Sequence, residues 1–143
     1  MKSKTRILVV DDNHSIVRII EQVLQNQGYQ VLTAFDGDEG LKKAQQEKPD
    51  LIILDIVMPG MDGYAVCRHL QRERATASIP VIMLTVKGQV EELNTLEDKK
   101  ALVIRVQERM AGYDAGAVEF LSKPITAKQL IERVKRVLWF SRV

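Results

Sequence analysis

The chain has 143 residues, enough for one ordinary domain that buries its own core without covalent staples. Apolar residues at 45% and charged residues at 28% describe a globular chain and exclude a disordered or collagen-like one. Lys plus Arg number 21 against 19 Asp plus Glu, and a net charge of +2 is too weak a field to make direct nucleic-acid binding the expected function.

The first aliphatic run is RILVV (Arg6 to Val10), followed by Asp11 and Asp12. After Asp12, the residues Ile16, Ile19, Ile20, Val23 and Leu24 recur at helical spacing, and Gly28 stands where a C-terminal cap belongs. QVLTA (Gln30 to Ala34) is the second run, and a second helix is expected over about Glu39 to Gln46, ending before Pro49. LIIL (Leu51 to Leu54) is the third run and leads directly into Asp55. Pro59 and Gly60 shape the loop beyond it, and Asp62 is the expected N-cap of a third helix with Val66 and Leu70 facing inward.

VIML (Val81 to Leu84) is the fourth run and VEFL (Val118 to Leu121) the fifth. Between Thr85 and Val118 lie 32 residues, more than the roughly 15 to 24 that one helix and two short loops require. The excess is read as an insertion within about 89–110, forming an extended or interrupted fourth helix. TAKQ (Thr126 to Gln129) is a capping box for the last helix, with Leu130, Val134, Val137 and Leu138 on one face and Lys128, Arg133, Lys135, Arg136 and Arg142 on the other. Trp139 and Phe140 near the end could seal that helix onto the core, mediate a homodimer or begin a linker.

Continuous apolar runs alternating with helical patterns argue for a parallel sheet covered on both faces: a three-layer, doubly wound (βα)5 sandwich in one domain, core 6–138. Cys67 is the only cysteine, which excludes an internal disulfide and is read as a structural thiol. No secretory core lies near Met1 and the aliphatic runs are too short for a bilayer, so a cytoplasmic protein without a membrane role is expected.

In a parallel sheet the residues after the strands converge on one edge, where ligands bind. Here those residues are Asp11, Asp12, Asp55, Thr85 and Lys123. Two unit charges about 5 Å apart repel by roughly 3 kcal/mol at an effective dielectric near 20, so three crowded carboxylates call for a cation. Oxygen-only ligands select a hard ion, and incomplete coordination that leaves room for a phosphate suits Mg²⁺. A free oxygen of Asp55 is then placed to attack a phosphoryl group, with Lys123 and the Thr85 hydroxyl balancing its charge.

VVDDN, LDIVMPGMDG, IMLT, AGA and FLSKP stand in an order that resembles the response-regulator receiver domain of two-component signalling, over about Arg6 to Leu138. The resemblance implies a five-stranded sheet of order 2-1-3-4-5, for which a member of this family is a standard example. It implies Asp55 as phosphoacceptor, Asp12 and Asp55 as direct metal ligands, Asp11 as a ligand largely through water, and the Val57 carbonyl as a further ligand. It also implies Thr85 and Phe120 as a hydroxyl and aromatic switch pair, Lys123 as the phosphate contact, and a cis Lys123–Pro124 bond. The partners implied are a histidine kinase or phosphotransfer protein upstream, and a downstream protein or output domain. Their binding is expected to change at the fourth helix, fifth strand and fifth helix. Two other readings stay open: a phosphorylation-independent docking module of the same fold, and a small turnover phosphatase.

Overall fold

The computed structural model describes residues 4–86 and 119–141, with the side chains of Thr85 and Val86 outside that description. The insertion expected at about 89–110 and the fourth helix lie outside the described residues. Five strands, β1 (Arg6–Val10), β2 (Gln30–Ala34), β3 (Leu51–Asp55), β4 (Val81–Val86) and β5 (Glu119–Lys123), form one sheet of order β2-β1-β3-β4-β5. Each neighbouring pair is parallel, as the uniformly apolar runs predict. The described helices are α1 (His14–Asn26), α2 (Gly37–Glu47), α3 (Gly63–Arg72) and the chain's last helix, Ala127–Ser141, here α4.

Alternation along the strands sorts the core into two layers. Leu8, Val10, Ile52, Leu54, Met83 and Phe120 face α2 and α3, where Ala44, Val66, Cys67 and Leu70 meet them. Ile7, Val9, Ile53, Ile82, Leu84 and Leu121 face the other way, onto Val17, Ile20 and Leu24 of α1 and Leu130, Val134, Val137 and Leu138 of α4. Removing one of these fully buried side chains to Ala would cost about 2–5 kcal/mol.

Local chemistry sets the helix ends. The Asn13 side chain caps α1 by accepting from the Ser15 and Ile16 amides, and Asp62 caps α3 by accepting from the Ala65 amide. At α4 the reciprocal capping box forms: the Gln129 amide donates to Thr126 Oγ1, and the Thr126 amide to the Gln129 side chain. Gly28, at φ 90°, takes the left-handed turn after α1. At the end of α2 that turn falls to Lys48, at φ 47° and ψ 64°, while the Arg6 side chain reaches the terminal carbonyl of Glu47 and pairs with the Glu47 carboxylate.

The structure corrects one sequence expectation and narrows two others. Asp55 and Lys123 close their strands and Thr85 lies within β4 rather than following it, because main-chain pairing continues past the apolar runs. Ile19 is 62% exposed, and Val17 takes the inward place on α1, because the sheet meets only a narrow stripe of that helix. Trp139 and Phe140 are 68% and 69% exposed, so among the described residues they do not seal α4 onto the core. No described helix is long and apolar enough to cross a membrane.

Candidate functional site

Register carries the site. Val10 pairs with Leu54, so Asp11, the next residue after β1, comes level with Asp55 at the end of β3. Asp11, Asp55 and Lys123 share the strand parity of Val9, Ile53 and Leu121, and therefore one face of the sheet. From the end of β5, Lys123 reaches past β4: its Nζ lies 3.0 Å from Asp11 Oδ2 and 3.2 Å from Asp55 Oδ1. One carboxylate oxygen from each of Asp11, Asp12 and Asp55 lies within 4.8 Å of the others.

Each supporting bond has a main-chain donor. The Asp11 amide donates to the Ala34 carbonyl at 3.1 Å, and Asp11 Oδ1 accepts from the Asn13 amide at 2.9 Å. Beyond Asp55, the Ile56 amide donates to the Leu84 carbonyl and the Gly63 amide to the Ile56 carbonyl at 2.9 Å, closing the loop that holds Val57. Gly63 is required by close approach: a Cβ there would stand 2.4 Å from the Asp55 carbonyl oxygen.

The electrostatics favour positive charge. Asp11 and Asp55 are buried and Asp12 is exposed. Burial raises the Asp55 carboxyl, the neighbouring Asp11 charge raises it further, and Lys123 opposes both; the outcome is about 6, against an ordinary 3.8. For Lys123, burial acts downward, and the contacts with Asp11 and Asp55 outweigh it and raise the ammonium above its usual range. Asp11 Oδ2 is buried without an aligned hydrogen bond and forms an ion pair with Lys123. Among the described residues, one ammonium paired with two of the three carboxylates leaves negative charge uncompensated. An all-oxygen donor set with a buried acceptor of this kind fits a hard divalent cation, Mg²⁺ among them.

Thr85 lies in β4 opposite Ser122 of β5, one residue beyond the Leu84 that pairs with Asp55. Phe120 is buried on the opposite face of the sheet from Lys123, among the residues that meet α2 and α3. The Val57 side chain is exposed on the loop after Asp55, and the Lys123–Pro124 bond is cis. Cys67 is fully buried and its thiol is pushed up to about 12 by desolvation, which makes it an inert core group. His69 lies exposed on α3.

Two features had no expectation from sequence. The His14 ring stacks on Phe35, with centroids 3.9 Å apart and planes at 8°. Glu119 pairs with Arg133 at 2.9 Å and Arg136 at 2.8 Å, tying β5 to α4. The helical spacing of Arg133 and Arg136 was legible; that Glu119 faces them was not, because the partners lie on different elements.

Chemically, such a cluster can hold a cation and present the Asp55 carboxylate as a nucleophile to an anionic electrophile that Lys123 and the cation attract. Comparison with known proteins agrees in fold. The family model described as the response regulator receiver domain matches residues 7–104. Over 138 residues, 96% of this chain, there is 38% identity to the alkaline phosphatase synthesis transcriptional regulatory protein PhoP of Bacillus subtilis. Over 133 residues, 93% of the chain, there is 38% identity to the DNA-binding dual master transcriptional regulator RpaA of Synechocystis. The chain spans 50% of the first relative's length and 48% of the second's. Among solved structures, the chemotaxis protein CheY4 of Vibrio cholerae superposes with a TM-score of 0.75 at 32% identity, over 94% of this chain and 99% of that one. A CheY-like receiver domain protein of Methanospirillum hungatei gives 0.79 at 28% identity, over 98% of each chain.

Proposed function

This chain belongs to the response-regulator receiver domain family, and from that membership we propose that it is a phosphoacceptor switch in two-component signalling. Asp55 is the acceptor. Its carboxylate oxygen attacks the phosphorus of a phosphohistidine on a histidine kinase or phosphotransfer protein, forming an oxygen–phosphorus bond as the nitrogen–phosphorus bond breaks. The electron pair leaves with the imidazole, and the product is an acyl phosphate. The protein is not a turnover enzyme: it catalyses its own loading and hydrolysis and nothing further.

The observation that carries this reading is the meeting of Asp11, Asp12 and Asp55 within 4.8 Å beside Lys123. Asp12, Asp55 and the Val57 carbonyl would hold Mg²⁺ directly, and Asp11 largely through water. The bound ion supplies positive charge to the phosphoryl oxygens. Lys123 would supply a second positive charge, and the Thr85 hydroxyl would supply a hydrogen bond once the phosphate is in place. Movement of Thr85 and Phe120 then alters the surface formed by the fourth connection, β5 and α4, where an output partner or output domain binds. Residues 1–143 act in the cytoplasm as one domain with its core at 6–138, without binding nucleic acid directly. The exposed Trp139 and Phe140 supply a surface for homodimerisation.

The test is labelling with a small phosphodonor such as acetyl phosphate. The wild-type chain is expected to gain one acid-stable, base-labile phosphoryl group only when Mg²⁺ is present, and Asp55→Asn none. Equal labelling of Asp55→Asn would assign the acceptor elsewhere.

A further inference from the structure

The connections after β1 and β2 are tied together twice beside the acidic cluster. The first tie is main-chain, from the Asp11 amide to the Ala34 carbonyl at 3.1 Å. The second is the stack of His14 on Phe35, at 3.9 Å and nearly parallel. Asp11, just after β1, and His14, at the start of α1, are the anchored residues on one side, and Ala34 and Phe35 are adjacent on the other. Asp12 lies between the anchors. It is exposed, and nothing about its own burial holds it in place. The turn it occupies is pinned on either side: Asp11 Oδ1 accepts from the Asn13 amide, and Asn13 Oδ1 accepts from the Ser15 and Ile16 amides. Phe35 is fixed in turn, since its amide donates to Glu39 Oε1 at 2.6 Å.

His14 is exposed, so its stack adds little to the core. A cation site, by contrast, depends on carboxylates held at set distances before the ion arrives, because each loose ligand must be ordered at the moment of binding. We propose that the His14–Phe35 stack is a positioning contact that holds the turn presenting Asp12, so that Asp12 meets the same cation as Asp55. His14 and Phe35 are then positioning residues for divalent-cation binding at the phosphoacceptor site, and the proposal rests on the reading of that site given above.

Mg²⁺ titration calorimetry on the whole chain tests this without phosphorylation. His14→Ala is expected to weaken the Mg²⁺ Kd about three- to tenfold, which converts to roughly 0.7–1.4 kcal/mol and lies within the range of an aromatic pair. His14→Phe, which keeps a ring, is expected to stay within about twofold of wild type. Phe35→Leu should weaken binding as His14→Ala does, and the double variant should be no weaker than either single one. In labelling with acetyl phosphate, His14→Ala should shift the Mg²⁺ concentration for half-maximal rate while leaving the rate at saturating Mg²⁺ near wild type. A Kd for His14→Ala within twofold of wild type, failure of His14→Phe to restore it, or losses that multiply in the double variant would overturn the proposal. Wild-type protein that binds no Mg²⁺ would overturn the site reading and this inference together. Tight wild-type binding matched by His14→Ala would overturn this inference alone.

Discussion

Asp55 combines burial with a second buried carboxylate, and both act against its ionisation. A carboxyl whose value in the folded protein is about 6, above the 3.8 of an unperturbed aspartate, holds its proton more tightly folded than unfolded. Folded protein therefore binds more protons between about pH 4 and 6, and metal-free stability should fall as pH rises through that window. Above it the cost of the buried charge is fully present. Asp55→Asn keeps the shape without the charge and is expected to raise metal-free stability at pH 7.5 by about 1–2 kcal/mol, with a smaller gain at pH 4. Denaturant unfolding of both proteins at the two pH values checks this, and equal gains would place the effect elsewhere. Lys123 pulls the other way, so this site is under opposing tensions that a bound cation would resolve.

At the scale of elements, two backbone positions test how local geometry supports the site. Lys48 ends α2 in the left-handed region, which disfavours every residue with a Cβ, and its side chain is exposed. Lys48→Gly should stabilise the protein by about 0.5–1 kcal/mol, the relief of strain being partly offset by the greater freedom of glycine in the unfolded chain. Gly63 is the converse case. A methyl group there would meet the Asp55 carbonyl oxygen at 2.4 Å and the Ile56 Cα at 2.9 Å, both backbone atoms. Gly63→Ala should cost about 1–3 kcal/mol in denaturant unfolding and should slow phosphoryl uptake, because the strain falls on Asp55, the proposed acceptor. A stable variant with wild-type uptake would show that α3 can withdraw without disturbing β3.

For the whole molecule, Asp11 and Asp12 lie just beyond β1, Asp55 ends β3 and Lys123 ends β5, so any ion that bridges the cluster stabilises the assembled sheet over the unfolded chain. Mg²⁺ should raise the melting temperature in a concentration-dependent way, reaching about 2.7 kcal/mol of stabilisation at a hundredfold excess over Kd. Asp12→Ala should abolish most of that gain while leaving metal-free stability near wild type, since Asp12 is exposed. Differential scanning calorimetry across a Mg²⁺ series separates the two effects. A gain that survives in Asp12→Ala would locate the ion away from this cluster.

The sequence by itself determined the strands and their order along the chain, the caps at Asp62 and Thr126, and the acidic and basic residues at the strand ends. Those properties are written in apolar runs, helical spacing and capping residues within a few positions of each other. The family resemblance extended this to the order of the sheet. Tertiary structure alone decided that Lys123 contacts Asp11 and Asp55 at once, that Ile19 faces solvent while Val17 faces the sheet, and that His14 lies flat on Phe35. Each of these depends on how closely separate elements approach and at what angle. Such distances are set by the packing of both sheet faces together, and no period within one segment encodes them.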